Sequence, residues 1–503
     1  MEDPLFQASL QDLIKGIRLS KKDPSAYISK AILAIKRELR STDAFLKAEA
    51  VRKLTYLQMI GYNVSWAAFA IVEVMAQQKF AHRRIGYLAA NQSFDEHTDV
   101  ILLTTNLFKK EFTSTSSHQG GHYEVGIALN SLANIATRDL ARDCISDVIL
   151  LTAHTWPYLR KKAVLCMFKL YVKFPQGLRL TFDQLKDRLE DADASVVSTA
   201  VNVICELAHK NPRNYLGLAP KFFKLLTTSS NNWMLIKVVK LLGSLVCEEP
   251  RLARKLLEPL SIIIQNTGAK SLQYECIHTL TEALPYSRRE DGSEAKNAPA
   301  VIQLCSDYLR GFIEDADQNL KYLGLLGLVS LMKSHPRSVV EHRHLVLQCL
   351  DDEDATIRAK ALELLAGIVS RKSLADLAEH LMAHARRAEG PYRDEVMATV
   401  LLICGKDKYA LVADFAWYAG VLLELARMGG GEEHGAEVAD QLIDVALRVP
   451  SVRPFAVESA LGLLLDAELA TGRARSMVAQ VLRAAAWIVG EYADVLSNIA
   501  QDG

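Results

Sequence analysis

Apolar residues recur along this chain at intervals of three and four almost everywhere, and alternating strand-type runs are scarce. In the first segment Phe6, Leu10, Leu13, Ile14 and Ile17 fall on one stripe, which predicts an amphipathic helix. Further on, Val196, Val197, Ala200, Val201, Val203, Ile204 and Leu207 leave almost no polar face. That is the pattern of a helix covered from both sides, and the whole reads as all-α.

Internal self-similarity sets the expected architecture. Three segments repeat one design, Leu189–Val196 (LEDADASV), Ile313–Leu320 (IEDADQNL) and Leu350–Ile357 (LDDEDATI). In each a helix closes on an apolar residue, an acidic turn follows, and a second apolar helix begins. Carboxylates at that place cap the next helix and favour its dipole. Prolines mark the other end of the unit at Pro175, Pro212, Pro250, Pro285 and Pro336, spaced 37, 38, 35 and 51 residues apart. The long interval contains the polar insert Arg288–Asn297. A two-helix unit of about 37–40 residues belongs to the HEAT/armadillo class of right-handed helical solenoids. Helix pairs are expected near residues 176–211, 213–249 and 313–369. Polar loops near 113–121, 288–298 and 428–435 interrupt the pattern without a change of composition, so one continuous solenoid over residues 1–503 is expected.

Composition narrows the function classes. A chain of 503 residues is too long for one compact core, which suits a repeat array. Lys plus Arg equals Asp plus Glu at 59 each, which removes any global argument for a nucleic-acid partner. No uncharged apolar run approaches the roughly 18 residues of a membrane span, and Met1–Pro4 opens acidic. The eight cysteines, Cys144, Cys166, Cys205, Cys247, Cys276, Cys305, Cys349 and Cys404, stand singly, mostly in apolar segments. Buried reduced thiols in a cytosolic protein are expected, with membrane contact at most peripheral.

Candidate chemistry is sparse. The Gly120–Gly121 and Gly429–Gly431 runs lack the strand before and the Lys-Ser/Thr after that a phosphate loop needs. His380 and His384 have helical metal-ligand spacing, but Glu379 precedes the pair instead of lying within it, and an exposed polar face is the plainer reading. Asp191 and Asp193, like Asp315 and Asp317, lack the mid-loop Gly and distal Glu of a calcium loop, which leaves helix capping. No catalytic constellation, cofactor or metal site is expected. The first 90 residues carry 14 Lys/Arg against 8 Asp/Glu, a local basic excess suited to a solvated face or to a membrane- or acidic-peptide-facing end.

Several motifs resemble those of the large adaptin subunits of clathrin-adaptor-type complexes. They are Leu13–Arg18 (LIKGIR), Lys79–Tyr87 (KFAHRRIGY) and Asn231–Val238 (NNWMLIKV). Asp407–Tyr418 (DKYALVADFAWY), Ala485–Tyr492 (AAWIVGEY) and Ser65–Phe69 (SWAAF) are similar to the delta type in particular. The matches run from residue 13 to 492.

The resemblance implies a non-catalytic scaffold in vesicle-mediated protein transport from Golgi or endosomes toward lysosome or vacuole. Implied partners are a sigma-type small subunit, a beta-type large subunit, a medium subunit, dileucine-type cargo signals and a small GTPase on the membrane. In this family an Arg of the opening helix meets the acidic residue of a dileucine signal, and the matching position is Arg18. At about 100° per residue Arg18 lies roughly 80–100° from the centre of the Phe6–Ile17 stripe, at the rim of the buried face. The phosphoinositide-gripping Lys triplet of alpha-type subunits corresponds to Lys47-Ala48-Glu49, a broken cluster. The family continues well beyond the Ala485–Tyr492 segment, so the rest of the trunk, the hinge and the ear are expected to be absent. A different HEAT scaffold, of import-receptor or phosphatase type, is the alternative.

Overall fold

A computed structural model of the chain describes residues 8–20, 23–113, 121–288, 293, 295–428, 432–466 and 476–495. Phe6, most of the 113–121 loop, parts of the 288–298 and 428–435 loops and the tail after residue 495 lie outside them. Among the described residues every regular element is a helix, and no helix is long and apolar enough to cross a membrane. The fold is the all-α helical solenoid that the repeats announce. The chain forms two compact units, Met1–Glu248 and Glu249–Gly503.

The first unit contains α1 (Leu10–Leu19), α2 (Ser25–Leu39), α3 (Ala44–Met59), α4 (Ala68–Met75), α5 (Phe80–Ser93), α6 (Thr104–Thr113) and α7 (Gly121–Ile135). It continues with α8 (Arg138–Leu151), α9 (Pro157–Lys173), α10 (Pro175–Asp187), α11 (Ala194–Lys210), α12 (Ala219–Thr228) and α13 (Asn232–Val246). Odd-numbered helices from α3 to α13 stack each on the one before, forming one layer, and the even-numbered helices cover its back. The nearly all-apolar α11 fits this scheme. It lies between α9 and α13 and buries Val196, Ala200, Val203 and Ile204. Each such valine or isoleucine side chain withdrawn from water contributes roughly 1.5–3 kcal/mol.

The second unit contains α14 (Pro250–Asn266), α15 (Lys270–Ala283), α16 (Ala298–Ile313), α17 (Gln318–Ser334), α18 (Pro336–Val340), α19 (Arg343–Gln348) and α20 (Ala355–Ile368). Beyond these come α21 (Leu374–Arg387), α22 (Gly390–Tyr409), α23 (Phe415–Met428), α24 (Glu432–Arg448), α25 (Arg453–Leu464) and α26 (Ser476–Glu491). Here α15, α17, α20, α22, α24 and α26 stack in succession. Helix α22 ends in three residues with left-handed backbone, Asp407, Lys408 and Tyr409, at φ 50°, 58° and 64°.

Local chemistry explains the repeat boundaries. Pro175, Pro250 and Pro336 each open a helix, where the missing N–H costs nothing and the fixed φ suits the first turn. In every acidic turn the second carboxylate caps the following helix. Asp193 accepts from Ser195 N at 2.9 Å, Asp317 from Asn319 N at 2.8 Å, and Asp354 from Thr356 N at 2.8 Å. The first carboxylate of each pair, Asp191, Asp315 or Asp352, accepts from the N–H of the second at 3.0 Å. Asp-x-Asp spacing is thus spent on backbone donors, and among the described residues no group of three His, Cys, Asp or Glu could hold a metal.

One expectation about the thiols is corrected. Seven cysteines are buried, but Cys247 is exposed. The apolar run Leu245-Val246 suggested burial, yet Cys247 is the C-cap of α13, one step past the last buried turn. His384 is also not on an open face. It is partly buried, with Nε2 3.0 Å from the Tyr392 hydroxyl, while His380 stays exposed.

Candidate functional site

The opening helix is fixed at both ends before it presents anything. Ser9 and Asp12 form a reciprocal cap, with Asp12 N donating to Ser9 Oγ at 3.3 Å and Ser9 N to Asp12 Oδ2 at 2.9 Å. The Ser9 hydroxyl also donates to Asp12 Oδ2 at 2.7 Å, and this bond, followed by that of the Ser9 N–H, holds the Asp12 carboxyl below its ordinary pKa. Lys53, buried on α3, donates to Glu38 Oε2 of α2 at 2.7 Å and to the Ala8 carbonyl at 2.8 Å. One ammonium therefore ties the start of α1 to both following helices. At the other end the Ser20 hydroxyl bonds the Gly16 carbonyl at 2.9 Å. Gly16 itself lies against the ring of Tyr27, whose hydroxyl donates to the Asp12 carbonyl at 3.3 Å.

On this anchored helix Leu13 is buried, whereas Leu10, Ile14 and Ile17 are only half-covered and Leu19 is 82% exposed. Arg18 is exposed and pairs with none of the described residues. It sits in the last turn of α1, where a cation also complements the helix dipole. Arg18 is thus exposed next to the half-covered Ile17.

The basic excess of the first residues collects next door. Along α2 the side chains of Lys30, Leu33, Lys36, Arg37 and Arg40 are exposed, and Lys36 lies 4.6 Å over the ring of Trp66. The Lys47–Glu49 stretch behaves differently. Lys47 pairs with Glu73 at 3.0 Å, Ala48 is buried, and Glu49 pairs with Arg52 at 2.5 Å. No free basic cluster stands there.

The other motif residues serve the fold. Arg83 reaches from α5 to Glu111 of α6 at 2.5 Å and to Glu124 of α7 at 2.7 Å. Burial opposes its charge, but the two carboxylates together raise its pKa. Tyr87 is buried with its ring 6.0 Å from that of Phe108, and Gly86 permits close approach of α5 to α4. Asn231 caps α13 by accepting from Trp233 N at 3.1 Å, leaving Trp233 80% exposed. Asp414 caps α23, and the buried Tyr418 hydroxyl donates to Gln441 of α24. The clamp by Lys53 and Glu38 and the contact of Lys36 with Trp66 carry no mark in the sequence, because their partners are 15 and 30 residues apart on different elements.

A sequence model of the family described as "Adaptin N terminal region" matches residues 25–502. The AP-3 complex subunit delta-1 of Bos taurus is 50% identical over 501 residues, 99% of this chain and 41% of the relative. The AP-3 complex subunit delta of Dictyostelium discoideum is 44% identical over 495 residues, 98% of this chain and 42% of the relative. The chain thus spans about two fifths of the length of these relatives. Among structures, a homology model of the full-length AP-3 complex in an intermediate open conformation has a chain 31% identical with a TM-score of 0.62. That match covers 92% of this chain and 83% of the other.

Proposed function

Because the chain belongs to the adaptin family, with AP-3 delta subunits as relatives over nearly its whole length, we propose that it acts as the delta-type large subunit of an AP-3 adaptor complex. It is a non-catalytic scaffold that assembles with a sigma-type small subunit, a beta-type large subunit and a medium subunit. The complex selects membrane cargo on Golgi or endosomal membranes for transport toward the lysosome or vacuole. The family match over residues 25–502 carries this reading.

The half-covered stripe of α1 is the surface offered to the sigma subunit, and Arg18 is the cation offered to the acidic residue of a dileucine signal. A guanidinium–carboxylate bond shielded from water contributes roughly 1.5–3 kcal/mol. Neutralisation of Lys47 by Glu73 favours recruitment through a membrane-bound small GTPase over direct phosphoinositide grip. The test is co-expression of the 503-residue chain with sigma, beta and medium subunits of one organism, followed by size-exclusion chromatography. Co-elution of the four supports the assignment. Elution of this chain apart from a sigma–beta–medium mixture defeats it.

A further inference from the structure

Helices α14 and α16 lie side by side in the second unit, backed by α15 and α17. Between them runs a trough of about 560 Å³ to which none of the sequence motifs contributes. One wall is the stripe of α14 from Leu257 to Gln265, and the other is the stripe from Asn297 to Asp307 along the first turns of α16. The lining residues recur at intervals of three and four on both helices, so the trough follows their axes for about two turns, on the order of 12 Å. Its floor is apolar. Leu257 and Val301 are buried, Leu304 is half-buried, and Ile262 is left 49% exposed.

The rim carries one sign of charge. Glu258 on α14 and Asp307 on α16 are the only charged residues that line the trough, one on each wall. Both are exposed. Asp307 receives one bond, from Gln303 Nε2 at 3.2 Å, and neither carboxylate is ion-paired with a described residue. The nearest cations along the two helices, Arg254, Lys255 and Arg310, stand outside the lining, and Arg310 lies 4.0 Å from Glu314. We propose that this trough binds a short amphipathic helix of a partner protein, with leucine-type residues along one side and lysine or arginine at the edges of that side.

A helix suits the site better than an extended chain. Extended backbone would bring unpaired N–H and C=O groups onto an apolar floor, whereas a helix satisfies them internally. A third helix seated in the trough sets its own apolar residues against Ile262 and Leu304 and completes the ridges-into-grooves contact that α14 and α16 begin. About eight of its residues span the lined length. Basic residues flanking its apolar stripe then reach Glu258 on one wall and Asp307 on the other. The sign of the rim also decides against a lipid surface, since anionic headgroups would meet carboxylates. The neighbouring trough between α19 and α21 provides a contrast. It too carries carboxylates, Asp376 and Glu379 among them, but Arg343 stands in its lining and only Leu347 and Ala383 are apolar. The proposal concerns this chain alone and does not depend on assembly of the adaptor complex.

The probe is a fluorescein-labelled alanine-based helical peptide with leucines spaced three and four apart and lysines flanking them. It is titrated with the full 503-residue chain and followed by fluorescence anisotropy. Saturable binding is expected, weakening as salt rises, with no saturation for the same peptide carrying glutamate in place of lysine. A proline at the centre of the lysine peptide breaks its helix and should cost at least about tenfold in affinity. The double variant Glu258→Lys, Asp307→Lys should lose about tenfold, and Ile262→Ser about fivefold. All three positions are exposed, so circular dichroism should show an unchanged fold. Glu379→Lys, in the neighbouring trough, should stay within about twofold of wild type. Equal binding of the lysine and glutamate peptides, equal binding of the proline peptide, or unchanged affinity in the double variant would overturn the proposal. So would a loss in Glu379→Lys as large as in the double variant, since the peptide would then be reading the acidity of the whole surface.

Discussion

Arg160 clasps Asp191 across 31 residues of chain, with Nε 2.9 Å from Oδ2 and Nη2 2.7 Å from Oδ1. The same guanidinium donates to the carbonyls of His154 and Thr155 through Nη1, so it ties the turn before α9 to the turn before α11. Burial works against the Asp191 charge, but the Arg160 bond, the Asp193 N–H and the nearby Arg188 hold its pKa below the ordinary carboxylate value. The second unit repeats the device at the same spacing, with Lys321 Nζ 2.7 Å from Asp352 Oδ2.

Removing Arg160 leaves the nearly buried Asp191 carboxylate with one ion-pair partner, Arg188, whose Nη1 lies 3.2 Å from Oδ2. Arg160→Ala should lower unfolding stability by about 3 kcal/mol. Lys321→Ala breaks a single-point bond and should cost roughly half as much. Urea denaturation of the two variants measures both.

Acid sensitivity follows from the same carboxylate. Its folded pKa is depressed, so its contribution is complete above the ordinary value of 3.8 and disappears as pH falls through the lower folded value. Asp191→Asn should therefore be less stable than wild type at neutral pH, and the difference should shrink below about pH 4. Denaturation midpoints between pH 2.5 and 7 test this, and a constant difference would contradict it.

Gly86 meets α4 so closely that a Cβ would stand 2.5 Å from the backbone N of Met75. Backbone cannot swing aside as a side-chain tip can, so Gly86→Ala should cost about 1–3 kcal/mol or more. The exposed Gly311, inside α16 with open space around its Cβ position, is the control. Its change to Ala should stabilise by roughly 0.5–1 kcal/mol. Opposite signs in denaturant melts are the expected outcome.

Thiol chemistry should single out Cys247. Burial pushes the thiols of Cys144, Cys205, Cys276, Cys305 and Cys404 up to about 12, and that of Cys349 to about 11. Ellman's reagent should titrate one group per native chain promptly and the other seven only in denaturant. Cys247→Ser should remove the fast phase.

Arg18→Glu should leave folding within about 0.5 kcal/mol of wild type, since the side chain is exposed. In an assembled delta–sigma pair it should weaken binding of a dileucine peptide about ten- to a hundredfold. Lys15→Glu, on the same helix, should alter only the salt-dependent part of the affinity. Peptide titrations at physiological salt compare the three. Equal affinities would return Arg18 to the solvated surface.

Much of this was legible in residue spacing, and the remainder fails for a common reason. Apolar periodicity announced the helices, and the acidic turns announced their caps, because both are local patterns. The second duty of Asp191 and Asp352 was not seen, although a basic residue stands 31 positions upstream in each case. Cys247 was misjudged because a one-residue shift past a helix end turns a side chain from core to solvent. Arg18 was found only through resemblance, since an unpaired surface arginine has no signature of its own.

Within the first unit each helix of the α3–α13 layer rests on the one before and the one after. Such a stack deforms as a spring does, every joint yielding a little. A partner that requires the open face to widen by a few ångströms asks only a fraction of that from each interface, well inside what rotamer adjustment supplies. Fit is thereby shared along the stack, and no single joint has to open to admit a partner.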